Sequence, residues 1–445
     1  MIERIPESLR KLAHTLDTPL YLVGGSVRDY LRGQLSQKPD FDICSCGNEE
    51  EVLQAAKDCG FTIKSVFKAT GTIKLHDGEN GYEFTRFRSD KYVRGMHRPS
   101  EVCFTSDIAL DARRRDFCAN AVYYDVKNAC FVDPLGGIDD IRKKILRTVA
   151  PAEKVFGEDG LRLLRLARIA AQTGFSPDED CLAGATRNAA LIKDIVPERV
   201  YTELNLLLHT GKDGHAPYRG LKILEQTGVL SYIFPELALG HGMSQRADFH
   251  KYDVLEHSLR CVMYSAPDIR WAALLHDVGK PYCMKRDGNF YEHDAEGEAI
   301  VRKILTRLKA PKALVEETAT LTALHMRDYS LNMRTGKVRR ELVAAYPLLD
   351  KLFALKQADF SACKDDLSPA PAVLKWKKIL DEMRAEGAPL TLKELAVSGK
   401  DLIENGVPPE QTGTVLHALL YDCALNGSLN TREKLLKRAE KHLLA

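Results

Sequence analysis

The spacing of hydrophobic positions changes near residue 150 of the chain. Up to residue 147, short apolar or alternating runs are bounded by glycine, proline and polar clusters, which predicts strands. These runs are residues 20–23, 40–43, 61–67, 71–75, 82–87, 121–126 and 130–133. Beyond residue 150, apolar positions recur every three or four residues, as in LRLLRLARIAAQ and ERVYTELNLLLH, which predicts helices. The sequence therefore predicts an α/β head followed by an all-α remainder.

Histidine is unevenly spread over the helical part. Six of the 13 histidines fall in one stretch: His241, His250, His257, His276, His293 and His325. This clustering predicts a separate, inserted helical module. We expect four segments: a head over 1–147, a helical neck and body over 148–240, the histidine-rich module over 241–360, and a helical tail over 361–445.

Composition excludes several classes of protein. The 445 residues are 44% hydrophobic and 28% charged, which is ordinary for a soluble globular protein of several domains. The net charge of +2 argues against a uniformly basic protein that coats a polyanion, although the tail TREKLLKRAEKHLLA is locally basic. No run approaches the ~20 apolar residues that span a bilayer. The 11 scattered cysteines fit reduced thiols, and we expect a cytoplasmic protein without a membrane partner.

A glycine-rich turn follows the first predicted strand. Gly24 and Gly25 precede a predicted helix that contains Arg28. Glycines let a backbone approach a phosphate closely, and the unpaired N–H groups of a helix start attract anions. An arginine can add a charged fork. Taken alone, the same pattern is more typical of a tight turn.

Two carboxylates follow this turn by about 15 residues. Asp40 and Asp42 are spaced so that both point to the same face of a strand. Two close carboxylates repel each other unless a cation lies between them. Metal-dependent phosphoryl transfer uses such acids to hold two ions about 4 Å apart. With the glycine turn upstream, we favour a metal site over a solvated strand edge, with Glu83 as the candidate third acid.

Two further segments of the head contain charged or glycine-rich motifs. The run Arg113-Arg114-Arg115-Asp116-Phe117 predicts either a solvated basic turn or a clamp for a triphosphate or a ribose. The stretch Asp133-Pro134-Leu135-Gly136-Gly137 predicts a structural turn that leads into a short helix.

The ordered motifs resemble a known family. LVGGSVRD, DFD, RRRDFCANA, DPLGG and EDGLRLLRLAR together are similar to the class II tRNA nucleotidyltransferases, the CCA-adding enzymes of the polymerase-β-like superfamily. PERVYTELNLLL in the helical part is also similar. The resemblance implies an α/β nucleotidyltransferase head, followed by a neck, body and tail that hold the 3′ end and acceptor arm of tRNA.

The resemblance also implies roles for individual residues. Asp40 and Asp42 correspond to the catalytic carboxylates, which hold two Mg²⁺ ions in the family. Asp159 and Arg162 correspond to the protein template that reads the base, and they are expected to share one helix face. The implied nucleotide-binding residues are Gly24, Gly25, Arg28, Arg114, Arg115, Asp159, Arg162, Arg165 and Arg168. The stretch Arg88 to Ser100 resembles the loop used when the family switches from CTP to ATP.

The histidine-rich module carries a second resemblance. His257, the pair His276-Asp277 and Asp359 are similar in kind and order to the metal ligands of the HD phosphohydrolase superfamily. Imidazole and carboxylate ligands together suit a transition-metal ion. Such an ion can activate water against a phosphoester, or it can stabilise the fold. The sequence does not decide between these roles or a role in the tRNA surface.

The leading functional prediction is template-independent addition of CCA to the 3′ end of tRNA from CTP and ATP. The alternatives with the same head are a tRNA nucleotidyltransferase that adds only A or only CC, and a bacterial poly(A) polymerase. The second usually carries a Gly-Arg-Arg-Phe-like stretch where this chain has residues 66–71. A third alternative is an HD phosphohydrolase with a nucleotide-sensing head, which predicts damaged head acids, whereas Asp40 and Asp42 are both present.

Overall fold

Two compact units make up the chain. The computed structural model describes residues 1–37, 39–91 and 100–443. Residues 1–210 and 216–235 form the first unit, and residues 211–215 and 236–445 form the second. None of the described helices is both long and apolar enough to cross a membrane.

A mixed seven-stranded sheet forms the head, in the order β3-β4-β5-β2-β1-β8-β9. Strands β2 and β5 are parallel, and every other neighbouring pair is antiparallel. The strands are β1 Tyr21–Val23, β2 Phe41–Ser45, β3 Thr62–Phe67, β4 Thr72–His76, β5 Gly81–Arg86, β6 Arg88–Lys91, β7 Glu101–Phe104, β8 Tyr123–Asp125, β9 Cys130–Val132, β10 Ile145–Leu146 and β11 Ser176–Pro177.

All seven strands of this sheet coincide with predicted apolar runs. The separate pair of β6 and β7 was not predicted, because each strand has only four residues, β6 is polar throughout and no residue of either strand is fully buried. Residues 92–99, between these two strands in the sequence, lie outside the described residues, so the resemblance of residues 88–100 to a CTP-to-ATP switching loop stays a prediction.

Helices up to residue 238 surround the sheet or follow it. They are α1 Glu7–Thr15, α2 Gly25–Leu31, α3 Glu49–Asp58, α4 Ile108–Arg113, α5 Gly137–Lys143, α6 Ala152–Glu158, α7 Leu161–Thr173, α8 Glu179–Asn188, α9 Pro197–Leu208, α10 His215–Gln226, α11 Val229–Ile233 and α12 Pro235–Ala238. Asp133 caps α5 by accepting from the backbone N–H groups of Gly137 and Ile138, which confirms the predicted structural turn.

The rest of the chain is helical, as its periodicity predicts. These helices are α13 Val254–Met263, α14 Arg270–Leu275, α15 Lys280–Asp287, α16 His293–Arg307, α17 Lys312–Leu324, α18 Thr335–Ala345, α19 Leu349–Lys364, α20 Pro371–Ala385, α21 Gly399–Glu404, α22 Thr412–Leu425 and α23 Arg432–Leu443.

The basic tail helix α23 is anchored to the helix before it. Leu435 and Ala439 are buried, and the Arg438 guanidinium lies 2.5 Å from a carboxylate oxygen of Asp422 in α22. Part of the positive charge of the tail is therefore neutralised within the protein.

Candidate functional site

The glycine turn of the head lies against one of the predicted catalytic carboxylates. Gly24 has φ +83°, and a Cβ atom there would lie 3.0 Å from Oδ2 of Asp42. A side chain at this position would strain the backbone and crowd the carboxylate. Behind the turn, the Ser26 hydroxyl is buried without a hydrogen-bond partner among the described residues. The turn therefore brings backbone close to Asp42, and the helix that follows it carries a buried hydroxyl.

Asp40 and Asp42 lie at the start of β2, and both are exposed. The predicted strand contained both acids, but the observed strand begins at Phe41, so Asp42 lies within β2 and Asp40 precedes it. Glu83 of β5 is the direct register partner of Asp42. The structure thus brings the candidate third acid beside the predicted pair.

Electrostatics at Asp42 favour a bound cation. Asp42 is accessible to solvent, but the protein atoms around its carboxylate displace part of the hydration and raise its pKa to about 6, against the opposing charge of Arg115. Asp40 and Glu83 add to the rise in this pKa through repulsion. A divalent cation would relieve that repulsion, and an all-oxygen donor set of this kind suits Mg²⁺.

Arg114 and Arg115 are held by an aspartate that the sequence analysis did not single out. Nε of Arg114 lies 2.7 Å from Oδ1 of the fully buried Asp111, and Nη2 of Arg115 lies 3.0 Å from Oδ2. The Tyr123 hydroxyl donates to the same carboxylate. Burial alone would raise the pKa of Asp111, but Arg115 and Arg114 lower it to about 2. Both guanidinium groups are therefore fixed in place and partly neutralised.

A buried chain of hydrogen bonds joins the glycine turn to α7. Arg28 donates to Asn120 at 2.8 Å, and Asn120 donates to Asp116 at 3.0 Å. Asp116 also accepts two hydrogen bonds from Arg165, at 2.8 and 2.6 Å. Burial opposes the charged form, but Arg165 and Asn120 hold the pKa of Asp116 well below its usual range.

Asp116 and Asn120 were not among the predicted site residues. The sequence feature that could have indicated them is the acid directly after three arginines, because a buried arginine requires a carboxylate partner. The guanidinium of Arg28 is buried and is also paired with Asp29, so it is a positioned group rather than an open fork. One turn after Arg165 in α7, Nε of Arg168 pairs with Glu203 at 2.6 Å.

The expectation that Asp159 and Arg162 share one helix face is wrong. Asp159 has an extended backbone at the end of α6, and α7 begins only at Leu161. Its carboxylate caps α7 by accepting from the Leu161 N–H at 2.9 Å. Arg162 is buried and donates to the carbonyl oxygens of Val155 at 2.9 Å and Arg114 at 2.7 Å. The break between α6 and α7 therefore determines where the two side chains lie.

The second unit contains the predicted metal ligands in one buried cluster. Nε2 of His257 lies 3.0 Å from Oδ1 of Asp359 and 3.4 Å from Oδ2 of Asp277. Nε2 of His276 lies 3.3 Å from the same Asp277 oxygen and 3.5 Å from the Asp359 oxygen. Two ligand atoms about 2.1 Å from one tetrahedral ion are about 3.4 Å apart. The separations therefore fit a shared ion.

The charges of this cluster also favour a cation. Burial disfavours a charged imidazole, but Asp277 and Asp359 raise the pKa of His276 to about 10. Nζ of Lys280 lies 2.6 Å from Oδ2 of Asp277. Two further histidines, His293 and His325, join the cluster, although the predicted ligand set did not include them.

Three stretches of the chain match described protein families. Residues 20–147 match the Poly A polymerase head domain, and residues 174–239 match the probable RNA- and SrmB-binding site of polymerase A. Residues 254–359 match the HD domain. An A-adding tRNA nucleotidyltransferase of Deinococcus radiodurans is 31% identical over 93% of this chain and 93% of its own length. The chain belongs to the tRNA nucleotidyltransferase family.

Other members of the tRNA nucleotidyltransferase family support this membership. A CCA-adding enzyme of Geobacillus stearothermophilus is 31% identical over 86% of this chain and 83% of its own. The crystal structure of the Bacillus stearothermophilus CCA-adding enzyme in complex with CTP is 25% identical, with a TM-score of 0.70 over 99% of this chain and 98% of that chain. The fold predicted from the sequence is confirmed. As a nucleotidyltransferase of this family, the protein is an enzyme that depends on divalent metal ions.

Proposed function

We propose that the protein adds cytidine, cytidine and adenosine to the 3′ end of tRNA, using CTP and ATP. The observation that carries the proposal is the contact between Gly24 and Asp42, with Glu83 in register beside the carboxylate, in a chain whose relatives include CCA-adding enzymes. We propose that it acts in the cytoplasm, with residues 148–240 and 361–445 binding the tRNA and the four predicted segments as its domains.

Asp40 and Asp42 are the proposed catalytic residues and Mg²⁺ ligands. When bound, two Mg²⁺ ions would neutralise the triphosphate and favour the ionised form of the attacking 3′-hydroxyl. The oxygen of that hydroxyl bonds to the α-phosphate, and pyrophosphate leaves. Gly24 and Gly25 bring backbone close to the nucleotide, and Arg114 and Arg115 orient it from their fixed positions against Asp111.

Asp159 and Arg162 are the proposed readers of the base. Cytosine and adenine both present an amino donor beside a ring-nitrogen acceptor, so a carboxylate can accept from one and a guanidinium can donate to the other. Uracil and guanine present a carbonyl and a ring N–H instead, which leaves polar groups unpaired at about 1–3 kcal/mol each. Arg165 and Arg168 support the pair through their contacts with Asp116 and Glu203.

The deciding experiment supplies purified protein with Mg²⁺ and three tRNA transcripts that lack one, two or all three terminal residues. Each transcript is incubated with one labelled nucleotide at a time, and products are resolved to single-nucleotide length. CCA addition predicts two cytidines on the shortest transcript and one adenosine after CC. An Asp40→Ala, Asp42→Ala double variant serves as the control and should extend none of them.

An A-adding enzyme is the second candidate, and the Deinococcus radiodurans relative favours it. The same assay separates the two functions, because an A-adding enzyme would extend only the transcript that already ends in CC. Extension of any unrelated RNA by a long adenosine tract would indicate the third candidate, a poly(A) polymerase.

We also propose a metal centre in the second unit, held by His257, His276, Asp277 and Asp359. Its imidazole and carboxylate ligands suit Mn²⁺, Fe²⁺, Co²⁺, Ni²⁺ or Zn²⁺. Such a centre supports hydrolysis of a phosphoester, for example a 2′,3′-cyclic nucleotide. Metal-dependent release of the ring-opened nucleotide by the wild-type protein, and its loss in His276→Gln, would test that activity separately from nucleotide addition.

A further inference from the structure

The face of the head sheet that carries Asp42 continues across three further strands. One row of register partners crosses β2, β5, β4 and β3: Asp42, Glu83, Lys74 and Ser65. Side chains in register on neighbouring strands project to the same face of a sheet. None of these four residues is buried, whereas Ile73, which projects to the other face, is fully buried. The row is therefore a solvent-accessible surface that begins at the predicted acids.

A second row on the same face ends in an exposed aromatic ring. Thr85 of β5 pairs with Thr72 of β4, and Thr72 pairs with Phe67 of β3. These residues lie two positions along their strands from the members of the first row, so they project to the same face. Phe67 is 51% exposed, although phenylalanine is among the residues most often buried. The face thus offers a cation, several hydroxyls and an aromatic ring at its outer edge.

A second aromatic ring is fixed at the same end of the sheet. Gly71 lies in the turn that joins β3 to β4, and a Cβ atom there would lie 2.6 Å from the ring of Phe104. The glycine therefore admits the ring against the turn. The guanidinium of Arg86 lies 4.6 Å from the centroid of the Phe104 ring, which is still 38% exposed. Phe67 and Phe104 together make this end of the face apolar.

The order of the strands separates this face from the proposed nucleotide site. The glycine turn follows β1, and β1 borders β2 on the side opposite to β5. In-line transfer places the attacking hydroxyl and the leaving pyrophosphate on opposite sides of the α-phosphate. A triphosphate on the β1 side of Asp42 therefore requires an RNA end that arrives from the side of β5, β4 and β3.

We propose that this face binds the 3′-terminal nucleotides of the RNA, with Phe67 stacking on a base and Lys74 contacting a phosphate. Neighbouring strands are about 4.8 Å apart, so the face extends about 14 Å from β2 to β3. A stacked strand rises about 3.4 Å per nucleotide, so about four nucleotides fit. The contact of Lys74 with Glu83, at 3.7 Å, is solvated and leaves the ammonium able to bind a phosphate. The proposal rests on the proposed function and assigns the site of its RNA end.

The first test locates the RNA end by crosslinking. Full-length protein is mixed with tRNA transcripts that lack all three terminal residues and carry one 4-thiouridine at one of their last four positions. CTP and ATP are left out so that the RNA is not extended. After irradiation, the crosslinked peptides are identified by mass spectrometry. We expect crosslinks to residues 62–76, and crosslinks from all four positions to other parts of the chain alone would overturn the proposal.

The second test measures what the two side chains contribute. Phe67→Ala should raise the KM for tRNA about 5- to 100-fold, the effect of one lost stacking contact, and leave the KM for CTP unchanged. Phe67→Tyr keeps an aromatic ring and should restore the wild-type KM. Lys74→Gln should raise the KM for tRNA and reduce its salt dependence by about one phosphate contact.

Matched controls come from the other face of the sheet. Val66→Ala changes the neighbouring exposed residue of β3, which projects to that other face, and Lys57→Gln changes an exposed lysine of α3. Both should behave as wild type, and circular dichroism checks that every variant is folded. An unchanged KM for tRNA in both Phe67→Ala and Lys74→Gln overturns the proposed face when the wild-type protein extends tRNA. A wild-type protein that extends no tRNA overturns the proposed function itself.

Discussion

Glu83 lies directly opposite Asp42 across the parallel pair of β5 and β2. Residues in register on neighbouring strands project to the same face of a sheet, so the two carboxylates face the same space above it. Nζ of Lys74, on the far side of Glu83, lies 3.7 Å from the Glu83 carboxylate but is well exposed. A solvated contact of this kind contributes little, which leaves Glu83 available to a cation beside Asp42.

We predict that Glu83→Gln lowers the rate of nucleotide addition about 10- to 100-fold, the range seen when supporting groups of a metal site are changed. The loss should be reduced at high Mg²⁺, because the variant weakens ion binding rather than tRNA binding. Glu79→Gln, in the exposed turn between β4 and β5, is the matched control and should behave as wild type. Wild-type activity of Glu83→Gln at low Mg²⁺ would exclude Glu83 as a third acid.

Asp40→Ala or Asp42→Ala should abolish addition while leaving tRNA affinity nearly unchanged. The acids are proposed to bind metal, whereas affinity for RNA comes from phosphate contacts over the helical part. Addition is measured by primer-length analysis and affinity by filter binding, with the exposed Asp17→Ala as the control. Near-normal addition by either variant would contradict the proposed catalytic pair.

Asp159→Asn is the sharpest test of base reading. The remaining amide oxygen can still accept from the Leu161 N–H, so the helix cap and the melting temperature should be kept. The amide NH₂ donates a hydrogen bond where the carboxylate only accepts one. We therefore predict slower use of CTP and ATP and weaker rejection of UTP. Asp159→Ala should show the same change in selectivity and also lose about 1 kcal/mol of stability through the cap. Unchanged selectivity among the four nucleotides in both variants would refute the assignment.

The tail helix should contribute to tRNA binding through Lys437 and Lys441, which lie four residues apart and are both exposed. Changing both to alanine should weaken tRNA binding and reduce the salt dependence of its affinity by about one phosphate contact per lysine. Leu435→Ala instead removes a buried side chain, so it should lower the melting temperature. An unchanged salt dependence in the double lysine variant would make the tail purely structural.

His276→Gln should leave CCA addition intact, because the histidine cluster and the head acids belong to different compact units. The same variant should lose metal-dependent phosphoester hydrolysis and bind metal more weakly in the second unit. His417→Gln, which changes an exposed histidine of α22, serves as the control for both measurements. Loss of addition in a variant that remains folded would show that the two centres are coupled.

Much of the head could be predicted from the local pattern of apolar and polar residues. The strands of the main sheet are short apolar runs, whereas the expectation that Asp40 and Asp42 share a strand missed that Asp40 precedes β2. The pairing of β2 with β5 is not local, because it joins residues about 40 positions apart in the chain. Glu83 could therefore be chosen as a candidate, but its register with Asp42 could be known only from the structure.

Other contacts could not be predicted because the local structure around the residues differs from the one assumed. Treating Asp159 and Arg162 as one helix face ignored the extended backbone at Asp159. Treating Arg114 and Arg115 as open cations overlooked Asp111, which lies one helical turn before them. His293 belongs to the histidine-rich stretch, but its position in the sequence did not mark it as a neighbour of Asp277. The close approach of the backbone at Gly279 to His293 brings the two residues together.

The hydrogen-bonded chain from Arg28 to Arg165 has a consequence for how the enzyme can evolve. Because Asn120 and Asp116 connect the two guanidinium groups, the turn proposed to approach the phosphates cannot shift without moving the start of α7, where the base is proposed to be read. Triphosphate binding and base selection would therefore depend on the same hydrogen-bonded residues. A lineage that alters its nucleotide preference would have to change several of these buried residues together, so single substitutions should more often inactivate the enzyme than redirect it.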